Sequence, residues 1–579
     1  MSERTGLIWR RTPSTSLMMN AFWCGRWAIA ALLVLIFAGC SSNYFRQSAD
    51  KQVYSTIKSK SPQVPNADPR FTIEQTNLPS LEGFGVNTNV EAFLGPDGER
   101  ENGARMLTLE DALGIAVKES RSYQSRKEQL YLSGLSLTLA RHQFTPIFSA
   151  PASATVEQAA LYQIDQLTGQ VQPTYSDNLD FRASGEVRAS WLIRDVGRIT
   201  TAFTTDALRF ITGDHSLVTS SQLSATFMRP LLRNAGFKQE EEALIQAERQ
   251  LLYDLREFTR YRKDFTVQIA TAYYGVLGAR DTVRNSFLNL ESSRKNAERS
   301  RALAQEGRIT QSDLGRLEQQ VLSTESTWIG AVRSYKQNLD NFKIQLGLDV
   351  DAKIVLDDRE LEALKILHPN ISAEDSIKVA LVARLDLLNA KDQFEDAERK
   401  VKVAENGLKP QLDLTAGASI QRPNSPGWAL PDPSVYSWNA GLIIDPALDR
   451  LLQRNDYRSS IIIRNRAARA VVQQEDDIKL QVRDSWRTLD QAKRNYEISE
   501  VGVRLAERRV EEQNLLAELG RAKAQDQVDA QNDLINSKNQ LTQALVTHTI
   551  ARLQFWDNLG ILYIKDNGQW EEGKDAKAK

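Results

Sequence analysis

Apolar residues recur at helical spacing from Leu107 to the neighbourhood of Pro146, and then abruptly at every second position. The same switch occurs between Ser372 and the segment beyond Pro410. Helix residues three and four apart share a face, and strand residues two apart do, so each switch marks a helix giving way to a strand. Past Pro146 the alternating set is Phe148, Ala150, Ala152, Ala154 and Val156; past Pro410 it is Leu412, Leu414, Ala416, Ala418 and Ile420. A returning strand follows each: Leu223, Ala225 and Phe227 before Pro230, and Tyr436, Trp438, Ala440, Leu442 and Ile444 before Pro446.

The chain therefore states one plan twice. Thr108-Leu-Glu-Asp111 opens the first copy and Ser372-Ala-Glu-Asp375 the second, each placing a hydroxyl three residues before an acid, as a helix-capping box requires. After the returning strand, a long helical stretch reaches Gly307 or Gly520, and a second climbs to Gly347 or Gly560. Those glycine pairs share an offset of 213 residues, and so do Asp313 and Asp526. Agreement across a whole helix identifies an internal duplication.

Lengths give the repeat a shape. Residues 231–306 span about 114 Å as a helix, against about 54 Å for 311–346 and about 58 Å for 107–145. The second copy repeats this, with about 110 Å for 447–519, about 54 Å for 524–559 and about 56 Å for 373–409. One long helix beside two short ones end to end suits a tall tube. Within 373–409, Ala390, Phe394, Ala397, Val401, Ala404 and Leu408 are spaced 4-3-4-3-4, which fits a coiled-coil seam and equally an ordinary core stripe.

Four strands of about ten residues with one apolar face cannot close a barrel alone, and lipid excludes an open sheet because every backbone N–H and C=O must be paired there. The pattern predicts transmembrane hairpins that close with other copies, with Trp428, Tyr436 and Trp438 as interfacial aromatics. A soluble β-cap on a helical bundle is the other reading of the same local alternation.

The N-terminus supplies the compartment. Arg4, Arg10, Arg11 and Arg26 precede an apolar run from Ala28 to Phe37, then Ala38-Gly39-Cys40. This is a secretory signal, and the small residues before Cys40 resemble a bacterial lipobox whose cysteine becomes the lipidated N-terminus. Removing residues 1–39 takes away four basic residues and one acid, moving the formal net charge from −1 to −4. The two cysteines, Cys24 and Cys40, then leave no pair for a disulfide, so stability rests on packing and assembly. Residues 41–105, with Pro62, Pro65, Pro69, Pro79 and Pro96, read as an extended tether.

Composition narrows the rest. At 41% hydrophobic and 25% charged the chain can fold, and 73 basic against 74 acidic residues argue against a nucleic-acid partner. His142, His215, His368 and His548 lack zinc spacing, and no P-loop, dinucleotide fingerprint or nucleophile elbow stands in context. No catalytic residue, metal or cofactor is expected beyond the lipid on Cys40, and the scattered acids read as solvated helix faces.

The stretch LTLEDAL from Leu107, the stretch ALVARLDLLNAKDQFEDAERKVKVAENGLKP from Ala380 to Pro410, RPLLR from Arg229 and the two glycine turns resemble the TolC-like outer-membrane efflux protein family over about 107–563. The resemblance implies a mainly α fold with a transmembrane β-barrel: a trimeric α-helical tunnel in the periplasm, capped by one shared barrel of four strands per subunit, twelve in all. It divides the chain into a signal (1–39), a tether (40–106), a first repeat (107–350), an equatorial connection (351–371), a second repeat (372–563) and a tail (564–579). Residues 347–372 and the C-terminal tail are implied to form a belt partway down the tunnel. One departure stands out: Pro146 to Pro230 covers 84 residues and Pro410 to Pro446 only 36. Within the excess, at about 159–215, Val187, Ala189, Trp191 and Ile193, then Ile199, Thr201 and Phe203, form a further hairpin turning near Asp195-Val-Gly197, either an external loop or part of the barrel.

The family's periplasmic adaptor docks at the hairpin tips, which here are Gly307, Arg308 and Ile309, and Gly520, Arg521 and Ala522. Asp526 and Asp529 match family aspartates that project into the tunnel entrance, where three-fold repetition would make carboxylate rings. The family's latch residues, a tyrosine and an arginine, are replaced by Ala517 and Ala522, while Asp313 matches their acidic partner; Arg521 or Lys523 is the candidate substitute cation. The implied function is a passive, lipid-anchored outer-membrane exit duct working with an adaptor and an inner-membrane transporter. A type I protein-secretion duct uses the same architecture, and a periplasmic coiled-coil adaptor or scaffold is the rival from another class.

Overall fold

The computed structural model describes residues 41–68, 70–74, 81–164, 171–211, 217–519, 521 and 523–572. The signal, Cys40, Gly520, Ala522 and residues 573–579 lie outside the described residues.

Nine helices of more than one turn are described: α1 (Ser42–Lys60), α2 (Leu109–Glu119), α3 (Arg121–His142), α4 (Lys238–Gln305), α5 (Gln311–Leu346), α6 (Ala373–Ala383), α7 (Leu385–Gly407), α8 (Leu451–Glu518) and α9 (Ala524–Asn558). The duplication is plain in their lengths. The long helices α4 and α8 have 68 residues each, and the return helices α5 and α9 have 36 and 35. The opening helices start where the capping chemistry predicts. Thr108 and Asp111 form a complete capping box, and the Ser372 hydroxyl accepts from the Asp375 N–H at 3.1 Å.

Each opening helix is broken rather than continuous. Ser120 (ψ 123°) separates α2 from α3, and Arg384 (ψ 121°) separates α6 from α7. The cause is packing from the other end of the repeat. Gly347, which closes α5, sits against the Glu119 carbonyl, and Gly560, after α9, sits against the Ala383 carbonyl. α3 and α5 both pack along α4, and α7 and α9 both along α8, with the short helices α2 and α6 set off from them by these breaks.

The helices pack in the order α3/α5, α4, α7/α9, α8, with α4 touching both halves. The main core runs along α4 through Leu251, Leu255, Ile269, Tyr273 and Leu290, and a second one joins Leu387, Ile478, Val482 and Phe555. The α4–α7 contact is polar. Asp396, 3% exposed, accepts from the Tyr253 hydroxyl at 2.6 Å and from Arg399 at 2.6 Å, while Arg256 reaches Asp392 at 2.6 Å. These acids are not a solvated face, as the sequence suggests, but the ladder that registers one repeat against the other. Ala397 of the 4-3 seam is buried, and Phe394 lies under Arg464 of α8.

The N-terminal segment corrects the expected extended tether. Ser42–Lys60 is a helix whose Val53 and Ile57 are buried, and Val53 fills the space over Gly134 of α3. After it the chain returns to the waist, where Glu101 binds Arg280 (2.8 Å) and Tyr335 (2.7 Å) and Trp328 donates to the Phe93 carbonyl (2.8 Å). There β1 (Arg105–Leu107) pairs in parallel with the strand Ile354–Leu356, and Leu562–Ile564 pairs with Trp570–Glu572. The waist thus draws on the N-terminal segment as well as the connection and the tail.

One sheet carries β2 (Ile147–Ser149), β3 (Ala152–Ile164), β4 (Val171–Ile193), β5 (Gly197–Phe210) and β6 (Leu217–Pro230) from the first repeat. The strands Gln411–Pro426 and Asp432–Asp445 from the second repeat, here β8 and β9 with Ile354–Leu356 as β7, complete it. Its order is β2/β3, β4, β5, β6, β8, β9, and every pairing is antiparallel. With β2 and β3 as two stretches of one edge, six strand positions replace the expected four. The extra hairpin β4–β5 is not an external loop: it lies inside the sheet. The β3–β4 pair alone continues beyond the end of β5, to Ile164↔Val171.

Candidate functional sites in the sheet and the hairpin tips

Register assigns the two faces of the sheet. Leu223 pairs with Ile420, which pairs with Tyr436; Ala225 pairs with Ala418, which pairs with Trp438; Leu414 pairs with Leu442. Directly opposed residues share a face, so these apolar residues make one surface. The opposite face carries Gln222 against Gln421, Ser224 against Ser419 and Thr226 against Gly417. In the single chain Tyr436, Trp438 and Ile444 are 71%, 74% and 68% exposed. Large apolar side chains left open on one face, over polar ones on the other, are what lipid outside and water inside require. Among the described residues no helix is long and apolar enough to cross a membrane.

At the first tip α4 ends in a glycine cap. Gly307 takes φ 72°, and the Arg308 N–H donates to the Leu303 carbonyl at 2.9 Å. This left-handed closure is the conformation glycine adopts without strain. Arg308 is exposed, Ile309 is half-buried, and the space around Gly307 is open. Thr310 then caps α5, accepting from the Asp313 N–H at 3.1 Å and donating to its carboxylate at 2.7 Å. At the second tip the Arg521 N–H reaches the Leu516 carbonyl at 2.8 Å, the same closure 213 residues on. Arg521 and Lys523 are exposed. Among the described residues no ion pair within one chain joins Asp313 to either cation, so the structure does not bring those three together.

Asp526 lies in the first turn of α9, exposed, with its N–H on the Lys523 carbonyl at 3.1 Å. Asp529 follows one turn later, half-buried, accepting from Gln525 at 2.9 Å. Three residues apart, the carboxylates share a helix face. Among the described residues no group of three or more His, Cys, Asp or Glu is placed to hold a metal.

Sequence reasoning misses a charged cluster at the waist. Arg260, Lys263, Asp264, Arg384, Asp386 and Asp557 line a cavity of about 30 Å³ beside Gly560, whose carbonyl accepts from Lys263 at 2.7 Å. Burial, then a hydrogen bond that the Asp557 carboxyl donates to Asp264 and the charge of Asp264, raises Asp557 well above the usual carboxylate range. A carboxyl whose folded value is raised contributes most at low pH and loses that contribution as pH climbs through the folded value. Asp557→Asn is therefore expected to raise the melting temperature more at pH 8 than at pH 5. Equal shifts at the two pH values would show that Asp557 is ionised throughout. No local motif marks this cluster, because its members come from three helices and the α6–α7 break, far apart in sequence.

No protein-family model matches the sequence, and no curated protein is similar enough in sequence to register. Solved structures do match. The Campylobacter jejuni CmeC outer membrane channel superposes with a TM-score of 0.58 at 12% identity, covering 81% of this chain and 87% of that one. The Vibrio cholerae outer membrane protein VceC gives 0.58 at 15% identity, covering 78% and 96%. The open-state Neisseria gonorrhoeae MtrE outer membrane channel gives 0.56 at 12%, covering 85% and 98%. On these superpositions, over most of both chains, the chain has the fold of the TolC-like outer-membrane channels.

Proposed function

We propose that the chain is one subunit of a passive, trimeric outer-membrane exit duct, anchored by lipid on Cys40 and working with a periplasmic adaptor and an inner-membrane transporter. The observation that carries the reading is the join of two kinds of surface in one chain. Membrane-length strands with an apolar and a polar face run directly into two 68-residue helices. A sheet open at both edges cannot rest in lipid, so copies must close it, and their helices then continue the wall into the periplasm. The neighbours' description as outer membrane channels agrees with this.

The work such a wall does is electrostatic and steric. Substrate moves through water along the polar face, and energy comes from the transporter. Asp526 and Asp529, tripled, would concentrate cations at the entrance and raise the cost of anion passage. Gly307, Arg308, Ile309, Gly520, Arg521 and Ala522 offer the adaptor two similar tips, as the duplication requires. Asp313 forms no ion pair with a cation of its own chain among the described residues, so the latch acts between neighbouring copies, through Arg521 or Lys523. Arg521→Ala and Lys523→Ala are expected to raise single-channel conductance of the closed duct; unchanged conductance in both removes the latch. The efflux reading as a whole is tested by deleting the gene and scoring sensitivity to a panel of small toxic compounds, with loss of a secreted protein as the outcome that favours a secretion duct.

A further inference from the structure

The inserted hairpin β4–β5 has every property of a membrane-spanning pair. It is laddered on both sides, to β3 from β4 and to β6 from β5. Its turn lies at the helix end of the sheet and is bound there. Arg194 pairs with Glu241 (3.6 Å) and Arg198 with Glu240 (3.9 Å), both acids at the start of α4, and the two guanidinium groups lie over Phe144 and Phe237. Its faces agree with those of its neighbours. Val187 opposes Phe203, which opposes Leu223 on the apolar side; Glu186 opposes Thr204, which opposes Gln222 on the polar side.

Resting on the trimeric duct reading above, we propose that three copies close one eighteen-stranded barrel, the free edge of β9 in each pairing with the free edge of β2–β3 in the next. The partner is a second copy of this chain, for three reasons. The sheet begins on a strand running away from the helices and ends on one returning to them, so the two free edges meet antiparallel, like every other pairing in it. The apolar band reaches both edges, with Phe148 (75% exposed) and Val156 (59%) at one and Tyr436 and Trp438 at the other. Lipid leaves no edge unpaired.

The consequence is a wider outer-membrane pore. With strands 4.7 Å apart and tilted about 40°, eighteen strands make a backbone cylinder about 35 Å across, and twelve strands one about 24 Å across. Four helix positions per chain, at about 9.5 Å spacing, place twelve helix axes on a ring about 37 Å across. The larger barrel matches the bore of the tunnel it caps, so the barrel is no constriction below the external opening.

Electron cryo-microscopy of the full-length lipidated oligomer in lipid nanodiscs tests this by counting strands. Eighteen is the expected result. A trimer with twelve strands and β4–β5 outside the wall overturns the inference and leaves the duct intact; a chain that forms no membrane-inserted oligomer overturns the duct and the inference together. Cysteine labelling gives a second readout, since the mature chain has no cysteine other than Cys40. Val187→Cys and Phe203→Cys are expected to resist a water-soluble maleimide at least tenfold better than Glu186→Cys and Thr204→Cys. Equal reaction on both faces places the hairpin in water and overturns the proposal.

Discussion

Gly347→Ala is expected to cost about 3–5 kcal/mol and to abolish most of the folded oligomer, whereas Gly560→Ala costs about 1–2 kcal/mol and is tolerated. Both glycines close return helices with positive φ, 85° and 80°, so both substitutions carry the left-handed penalty of a side chain. The difference lies in what the added carbon meets. At Gly347 it would overlap the Glu119 carbonyl and stand 3.0 Å from the Ser120 nitrogen, backbone on both sides. At Gly560 the nearest atom is the Ala383 carbonyl oxygen at 3.2 Å, and one neighbour is the flexible Arg384 side chain. The first contact forces the break between α2 and α3 apart; the second needs a shift of a few tenths of an ångström. Thermal unfolding and the yield of folded oligomer report the difference, and equal tolerance would mean the two breaks are not built alike.

The second large effect separates the faces of the sheet. Ala418→Arg is expected to cost about 2–4 kcal/mol per copy and to prevent membrane assembly, and Ser419→Arg next to it to assemble normally. Ala418 lies between Ala225 and Trp438 on the apolar side. Ser419 lies between Ser224 and Ser437 on the polar side, within 2.8 Å of the Ser437 hydroxyl. A strand has period two, so one step along the chain exchanges lipid for water. If both variants assemble, or neither does, the two faces are not what register says they are.

The features legible in the sequence are those with a strong local cause. Glycine caps, proline-terminated helices and hydroxyl–acid caps placed the helix ends at Gly307, Gly347 and Thr108 within a residue or two, because each satisfies backbone groups locally. The turn near Asp195 was legible for the same reason, and Asp195 does take positive φ (59°). The hairpin's place between β3 and β6 was not, since pairing partners far apart in sequence leave no local trace. The breaks at Ser120 and Arg384 were hidden too: neither residue is a helix breaker, and the cause is a glycine some 180–230 residues away.

The helix at 42–60 is obscured in the sequence by the five prolines that crowd the segment after it. Pro62 is the first of them, so the stretch Ser42–Lys60 itself holds neither proline nor glycine, and Val53 and Ile57 at four-residue spacing were the available signal. The buried ladder around Asp396 looked like surface charge because its partners, Tyr253 and Arg249, stand in the other repeat. Of the candidate sites, the tips are marked by the duplication and the waist cluster around Asp557 is not, having no equivalent motif to repeat.

The central claim is that these chains enclose a water-filled path across the outer membrane. Planar-bilayer recording of the purified, lipidated oligomer tests it most directly, with Asp526→Ala/Asp529→Ala in parallel. The account predicts discrete, cation-preferring channels whose selectivity falls when both carboxylates are removed. A folded, lipidated oligomer that passes no current would contradict it and leave a periplasmic scaffold as the better description.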